Sequence, residues 1–477
     1  MNRKSHHRLA TRFGRACAVA CLCIFAGSGA APNAASAALP PAAVPPFLAA
    51  GIQDVPPISA PTPQHPEPPV NPPVQNAKSD TERYTLSHER YEKAVAYARR
   101  GYTLYFVSVF WEIALLLFAL WTGLAAKLRD FAVRRTENRF LQGLIFIPLL
   151  LFCIDILELP LSMYWHSVSL RYQQSVQHWG SWFGDWAKEQ LILLIILLAL
   201  FQILFLAIRR SPRRWWFYFW LAALPILFFV FYISPWLINP LFNKFEPLSK
   251  QHPKLVASIE EVAERAGLHI PPERIFLMVA SEKTNEINAY VTGFGASKRI
   301  VVWDTTIKKM APGEALFIVG HEIGHYVLGH VRDGMLFFAM TFFCALYLAY
   351  RVFHWLLDRW GPRWKIYGPQ DWAALAVILF VLQALMFIFD PVGNTFSRWQ
   401  EHQADVYGVE VIHGIVPNSS EAAAHAFQVL GEIDLADPNP PPFIKFWLYS
   451  HPPLADRLVF AHSYDPWSRG EPPRYVK

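Results

Sequence analysis

The sequence predicts a mainly α protein: a polytopic membrane helix bundle of about six spans that carries a smaller α+β extramembrane domain. Three observations predict it. The chain is 53% hydrophobic and only 17% charged, with a mean hydropathy of +0.21, a balance that ordinary soluble domains do not keep. Separate apolar runs recur at lengths suited to a hydrocarbon layer about 30 Å thick. Phe, Trp and Tyr make up 15% of the residues, as expected where aromatic rings populate both cores and membrane interfaces. The same composition excludes a disordered chain and a collagen-like fibre. Although the net charge is +6, Lys and Arg cluster beside apolar runs, which is a topology signal and not a nucleic-acid footprint.

Residues 1–37 read as a signal peptide. Arg3, Lys4, Arg8, Arg12 and Arg15 precede an apolar run from Ala16 to Ala26, and Ala35-Ser36-Ala37 supplies a small-residue cleavage pattern. Eleven apolar residues favour a cleaved signal over a retained anchor. Residues 38–79 form a Pro-rich linker; fourteen prolines between Pro32 and Pro73 leave too little apolar surface for a packed core. The five cysteines, Cys17, Cys21, Cys23, Cys153 and Cys344, all lie in apolar stretches and encode neither a disulfide framework nor a thiolate metal site.

An N-terminal membrane domain of four spans is expected over residues 80–238, entered by a helix whose Tyr91, Ala94, Val95 and Ala98 share one face. The spans run from about Thr103 to Ala126, Phe140 to Tyr164, Gln190 to Ile208 and Trp215 to Ile238. Residues 239–334 form the first part of the extramembrane domain. Two further spans, Met335 to Leu357 and Trp372 to Asp390, fill residues 335–390, and residues 391–477 complete that domain. Basic residues mark three loops: Lys127 to Arg139, Arg209 to Arg214, and Arg359 to Lys365. The positive-inside rule puts these loops in the cytoplasm and, by parity, both extramembrane parts on the other side. Glu112, Asp155 and Glu158 fall inside spans, where ionisable groups usually face an interior cavity or pair with a base such as Arg351.

The chemistry lies in the extramembrane parts. Pro312 opens a helix that carries His321-Glu322-Ile-Gly-His325. A four-residue spacing stacks both imidazoles on one face, where they can bind zinc, with Glu322 beside them as a base. His330 falls five residues after His325, not at the six-residue spacing of a metzincin, so the third ligand comes from elsewhere. Glu401 is the best candidate, because two spans return the chain to the same side. Asp405, one turn further on, is placed to hold a ligand histidine's free ring nitrogen, and His402 points off that face. Around Gly293 and Gly295, residues 286–303 read as a hairpin whose edge could pair with an extended peptide.

These strings, together with Pro240 to Pro247, Asn288-Ala-Tyr290, Lys298 to Asp304 and Ser450-His451-Pro-Pro-Leu454 with Arg457, resemble the integral-membrane zinc endopeptidases typified by the type I CAAX prenyl proteases. The resemblance covers about residues 80–477. It implies a gluzincin-type zinc protease domain and one Zn2+ per chain, bound by His321, His325 and Glu401, with Glu322 as base and Asp405 supporting the ligands. It implies further that His451 and Arg457 stabilise the tetrahedral intermediate or hold substrate, and that Asn288 contacts an extended substrate backbone. The expected partners are the lipid bilayer and a peptide or membrane-protein substrate. The charge rule and the signal-like N-terminus point to a bacterial inner membrane with the catalytic domain in the periplasm, which argues against prenylated CAAX peptides as natural substrates. A transporter or receptor-like bundle with a structural metal site is the competing reading; such a site normally has four protein ligands, and no fourth candidate is evident.

Overall fold

The computed structural model describes residue 84, residues 86–293 and residues 298–476. The expected signal peptide and Pro-rich linker, and Gly295, lie outside them. The first helix, α1 (His88–Trp121), is continuous from the face bearing Ala94 and Ala98 into the apolar run, so the entry helix and the first span are one element. It stops short of the expected Ala126 because Gly123, with φ +68°, breaks it before α2 (Leu124–Arg135). Asn138 caps α3 (Arg139–Arg171) by accepting from the Phe140 and Leu141 N–H groups. Pro148 and Pro160 sit inside α3, as bundle packing permits. Then come α4 (Trp179–Arg210) and α5 (Trp215–Leu237).

The first extramembrane part holds β1 (Phe245–Pro247), α6 (Pro253–Arg265), β2 (Ile275–Met278), β3 (Ala289–Thr292), β4 (Arg299–Trp303), α7 (Asp304–Lys309) and α8 (Pro312–Val327). The strands form one sheet in the order β1-β2-β4-β3. β2 and β4 are parallel, and the expected hairpin is present as antiparallel β3 and β4 with Tyr290 opposite Val301. β3 therefore lies at the sheet edge, beside α8.

The chain returns through α9 (His330–Trp360) and α10 (Ala374–Ile412) and closes with α11 (Ser419–Asp434), α12 (Pro442–Leu448) and α13 (Leu454–Ser463). Among the described residues, six helices are long and apolar enough to cross a membrane: α1, α3, α4, α5, α9 and α10. The helix that carries the last span does not stop near Asp390; α10 continues through Pro391 to Ile412 as one helix of 39 residues. Two cores result. Phe146, Phe201, Trp215 and Phe342 pack inside the bundle, whereas Val256, Ile300, Phe317, Phe427 and Leu458 pack inside the extramembrane domain. α10 joins them, giving Leu375 to Leu382 to the first and Val409 to Ile412 to the second. Glu112 and Glu158 are buried in the bundle and Asp155 is half-buried, while Arg351 engages the Tyr347 hydroxyl on its own helix.

Candidate active site

Two helices meet at the site because small residues let them. At Gly408 of α10 an added Cβ would stand 3.1 Å from the His321 nitrogen, and at Gly320 of α8 it would stand 2.7 Å from a Val411 methyl. A side chain at Gly320 would force α8 and α10 apart and one at Gly408 would crowd the α8 backbone, so glycine permits the crossing that aligns His321 and His325 with Glu401 and Asp405. Pro312 begins α8 as expected, and Glu314 reaches back to accept from the Ala311 N–H at 2.9 Å.

The His321 and His325 Nε2 atoms face each other at 3.2 Å. Glu401 closes the group, its Oε2 at 3.2 Å from His321 Nε2 and its Oε1 at 3.3 Å from His325 Nε2. All three residues are buried, and their donor atoms lie within 4.8 Å of one another. Each ring is held from behind. His321 Nδ1 stands 2.9 Å from Asp405 Oδ1. His325 Nδ1 stands 3.0 Å from His330 Nδ1, whose Nε2 in turn meets Gln403 Oε1 at 3.0 Å. Placed this way, both rings turn Nε2 toward one point, the orientation that metal-binding histidines adopt. The surroundings also favour positive charge there: burial disfavours an imidazolium, but Asp405 and Glu401 outweigh it and raise His321 to about 9. The donor set fits zinc, which accepts imidazole and carboxylate ligands in tetrahedral sites.

Glu322 lies beside this group, 5% exposed. Burial pushes its carboxyl up to about 8; the Glu401 charge adds to this, and His321 and Arg457 oppose it. Asn288, Thr306, His321, Glu322, His451 and Arg457 line a common pocket. Thr306 fixes the Asn288 backbone from both sides: its hydroxyl accepts from the Asn288 N–H at 2.7 Å and donates to the Asn288 carbonyl at 2.7 Å. His451 places Nε2 at 3.2 Å from Glu401 Oε1 and Nδ1 at 2.9 Å from the Ser450 hydroxyl. Arg457 grips Asp405 with two bonds, Nε to Oδ2 at 2.9 Å and Nη2 to Oδ1 at 2.5 Å. His402 is exposed and packs on Phe460, away from the group.

Three supports were not read from the sequence. His330 was considered only as a ligand; the left-handed Gly329 between α8 and α9 re-aims it toward the back of His325. Arg398 fastens the chain before His451, donating to the carbonyls of Lys445 at 3.2 Å and of Tyr449. Glu410 accepts from the N–H groups of Arg474 at 2.5 Å, Tyr475 at 2.7 Å and Val476 at 2.9 Å, docking the C-terminal tail on α10. A carboxylate that serves three consecutive backbone groups has no short sequence signature.

Comparison with known proteins agrees with this geometry. The family described as Peptidase family M48 matches residues 249–464, and that described as CAAX prenyl protease N-terminal, five membrane helices, matches residues 75–244. An uncharacterized metalloprotease of Bacillus subtilis, YhfN, is 35% identical over 362 residues, spanning 75% of this chain and 82% of that protein. CAAX prenyl protease 1 of Saccharomyces cerevisiae is 28% identical over 336 residues, spanning 67% and 71%. The crystal structure of Ste24p from S. mikatae shares the fold, with a TM-score of 0.69 over 82% of this chain and 92% of that one at 24% identity. The transporter or receptor reading falls with these matches: the chain belongs to peptidase family M48 and is an integral-membrane zinc metalloprotease.

Proposed function

We propose that the chain is an endopeptidase that binds one Zn2+ through His321, His325 and Glu401 and cleaves peptides or membrane proteins on the periplasmic side of a bacterial inner membrane. The observation that carries the reading is the convergence of two buried Nε2 atoms and one carboxylate beside a third buried acid, Glu322. A zinc ion held by His321, His325 and Glu401 would supply Lewis-acid chemistry, activating water and polarising the scissile carbonyl. Glu322 takes the proton from the attacking water and delivers it to the leaving amine, the role of a buried acid beside the metal-binding group. Asp405 holds the His321 ring, and Arg457 holds Asp405 while its Nη2 also stands 4.0 Å from Glu401 Oε2, so Arg457 fixes both carboxylates and faces the pocket where substrate is held. His451 donates from Nε2 toward the oxygen that gains charge as the carbonyl becomes tetrahedral. Asn288, leading into edge strand β3, receives an extended substrate backbone that adds to the sheet.

The orientation rests on the three basic loops, which fall at one end of the bundle; there Arg129 is ion-paired with Asp371. A peptidase outside the cytoplasm does not meet freshly prenylated cytosolic chains, so prenyl peptides are not proposed as its natural substrates. The test is proteolysis of an unfolded membrane protein by the detergent-purified full chain and by Glu322→Gln, with zinc quantified in both. Cleavage by wild type alone, at equal zinc, is expected; cleavage by both removes Glu322 from its role.

A further inference from the structure

We propose a binding site for the phosphate headgroup of an anionic phospholipid, formed by Arg139 at the start of α3 and by Arg209 and Arg210 at the end of α4. The three lie at one depth, because α3 enters the apolar layer at Phe140 and α4 leaves it after Ile208. Trp372, where the last span begins, packs between the two helices. An added Cβ at Gly143 would stand 2.4 Å from Gln202 Nε2 and 2.7 Å from the Trp372 ring, and Gln202 Nε2 donates to the Phe140 carbonyl at 2.8 Å. Two of the arginines converge on that buried indole. Arg139 Nη1 donates to Gln142 Oε1 at 3.4 Å, the same oxygen accepts from Trp372 Nε1 at 3.3 Å, and the Arg209 guanidinium stands 5.9 Å from the Trp372 ring centre.

What the cluster lacks is a counter-charge. At the same end of the bundle Arg129 is buried, and Asp371 and Asp130 answer it. Asp371 is engaged there, one residue before Trp372, and leaves the arginines beside that indole without an acid. The charges that act on Arg209 are both positive, those of Arg139 and Arg210, and its Nη1 is buried with no acceptor among the described residues. Nor does any described carboxylate pair with the three, Glu137 two residues from Arg139 included. Cations drawn together and partly out of water are unfavourable until an anion joins them. A phosphate diester supplies that charge and accepts from two guanidiniums at once. Arg209 is only half-buried and Arg139 and Arg210 are exposed, so a headgroup reaches them directly. Beside them Phe140, Leu141 and Leu206 are exposed and offer apolar surface to acyl chains, which makes the membrane the source of the phosphate. A headgroup of net negative charge is preferred, since the ammonium of a zwitterionic one would be repelled by the cluster. None of these residues lines the pocket around Glu322.

Native mass spectrometry of the full chain in detergent, titrated with phosphatidylglycerol, phosphatidylcholine or inorganic phosphate, reads the site. One phosphatidylglycerol per chain is expected to bind saturably, with no retention of the other two at the same concentration. Arg139→Gln/Arg209→Gln should weaken that binding about 30-fold, each arginine near an anionic headgroup being worth about fivefold. Arg359→Gln/Arg363→Gln, which removes two cations stacked on Trp360 at the same end, should leave it unchanged. Equal losses in the two pairs would reduce the effect to general surface charge and overturn the site, as would equal retention of phosphatidylcholine. Inorganic phosphate bound by wild type and lost from Arg139→Gln/Arg209→Gln would overturn the lipid as its source. Proteolysis by that variant without added lipid should match wild type. Should the variant not fold, wild type alone decides: phosphatidylglycerol with a photoactivatable headgroup should label residues 137–142 or 206–214, and label confined to other segments would overturn the proposal.

Discussion

The membrane bundle and the proposed metal centre are both buried, and they are built on opposite terms. In the bundle, Phe146, Phe205 and Leu150 are fully buried in the apolar core, so each contributes its own increment of packing. At the centre, Glu401, Asp405, His325, His451 and Arg457 are all at most 4% exposed, and each is tolerable only because of the others. Deleting a bundle side chain leaves a gap whose cost is graded; deleting a member of the centre leaves a charge or donor stranded. Burial alone therefore does not tell what a residue is worth: its dependence on buried neighbours does.

That contrast can be broken or sharpened by substitution. The largest effect is expected for His325→Ala, which removes one of the three proposed ligands: proteolysis and bound zinc should vanish together, read by peptide cleavage and elemental analysis. Glu322→Gln comes next, with cleavage reduced by about 10²–10⁴-fold and zinc unchanged. Asp405→Ala should strand Arg457 and release the back of His321. Zinc affinity should fall by about 10–100-fold, and stability by about 3–5 kcal/mol as for a broken buried ion pair, followed by zinc competition and thermal unfolding. Phe146→Ala should cost about 3–5 kcal/mol in unfolding while zinc affinity stays at wild type; a fall in zinc affinity of the Asp405 size would erase the distinction between the two regions.

The smallest effect concerns pH. Asp304 accepts from the Ala280 and Ser281 N–H groups at 2.8 and 2.9 Å and from Lys308 at 2.7 Å. Burial alone would raise its pKa, but these donors win and lower it. A folded-state pKa below the unfolded value gives stability that is present above about pH 4 and lost as the pH falls through the folded value. Wild type should therefore be more stable than Asp304→Asn at neutral pH, and the gap should narrow on acidification; a constant gap would show that the carboxylate charge is not what those donors hold.

Much of this was legible in the chain. His321, His325 and Glu322 declare themselves because one helix carries them at a fixed spacing, and Glu401 could be placed because an even number of spans returns it to their side. The six spans were visible as runs of apolar residues, although the break at Gly123 and the continuity of α10 were not. Hydropathy reports where a helix leaves the apolar layer and says nothing of where it ends. His330, Arg398 and Glu410 stayed hidden for a different reason: their partners are a ring re-aimed by a left-handed glycine and the carbonyls and amides of distant backbone. Such contacts depend on the folded path and leave no local pattern.

The continuity of α10 makes it a lever. From Leu382, packed in the bundle, to Glu401 the helix rises about 28 Å at 1.5 Å per residue, so a tilt of about 2° in the span displaces the carboxylate by about 1 Å. Spans adjust to hydrophobic mismatch by tilting, so proteolysis by the full chain is expected to change with lipid chain length in reconstituted bilayers, as read by peptide cleavage. Lipid chain length becomes a mechanical variable of the chemistry, and a soluble fragment cut from this domain would lose the arm on which one of its donors is mounted.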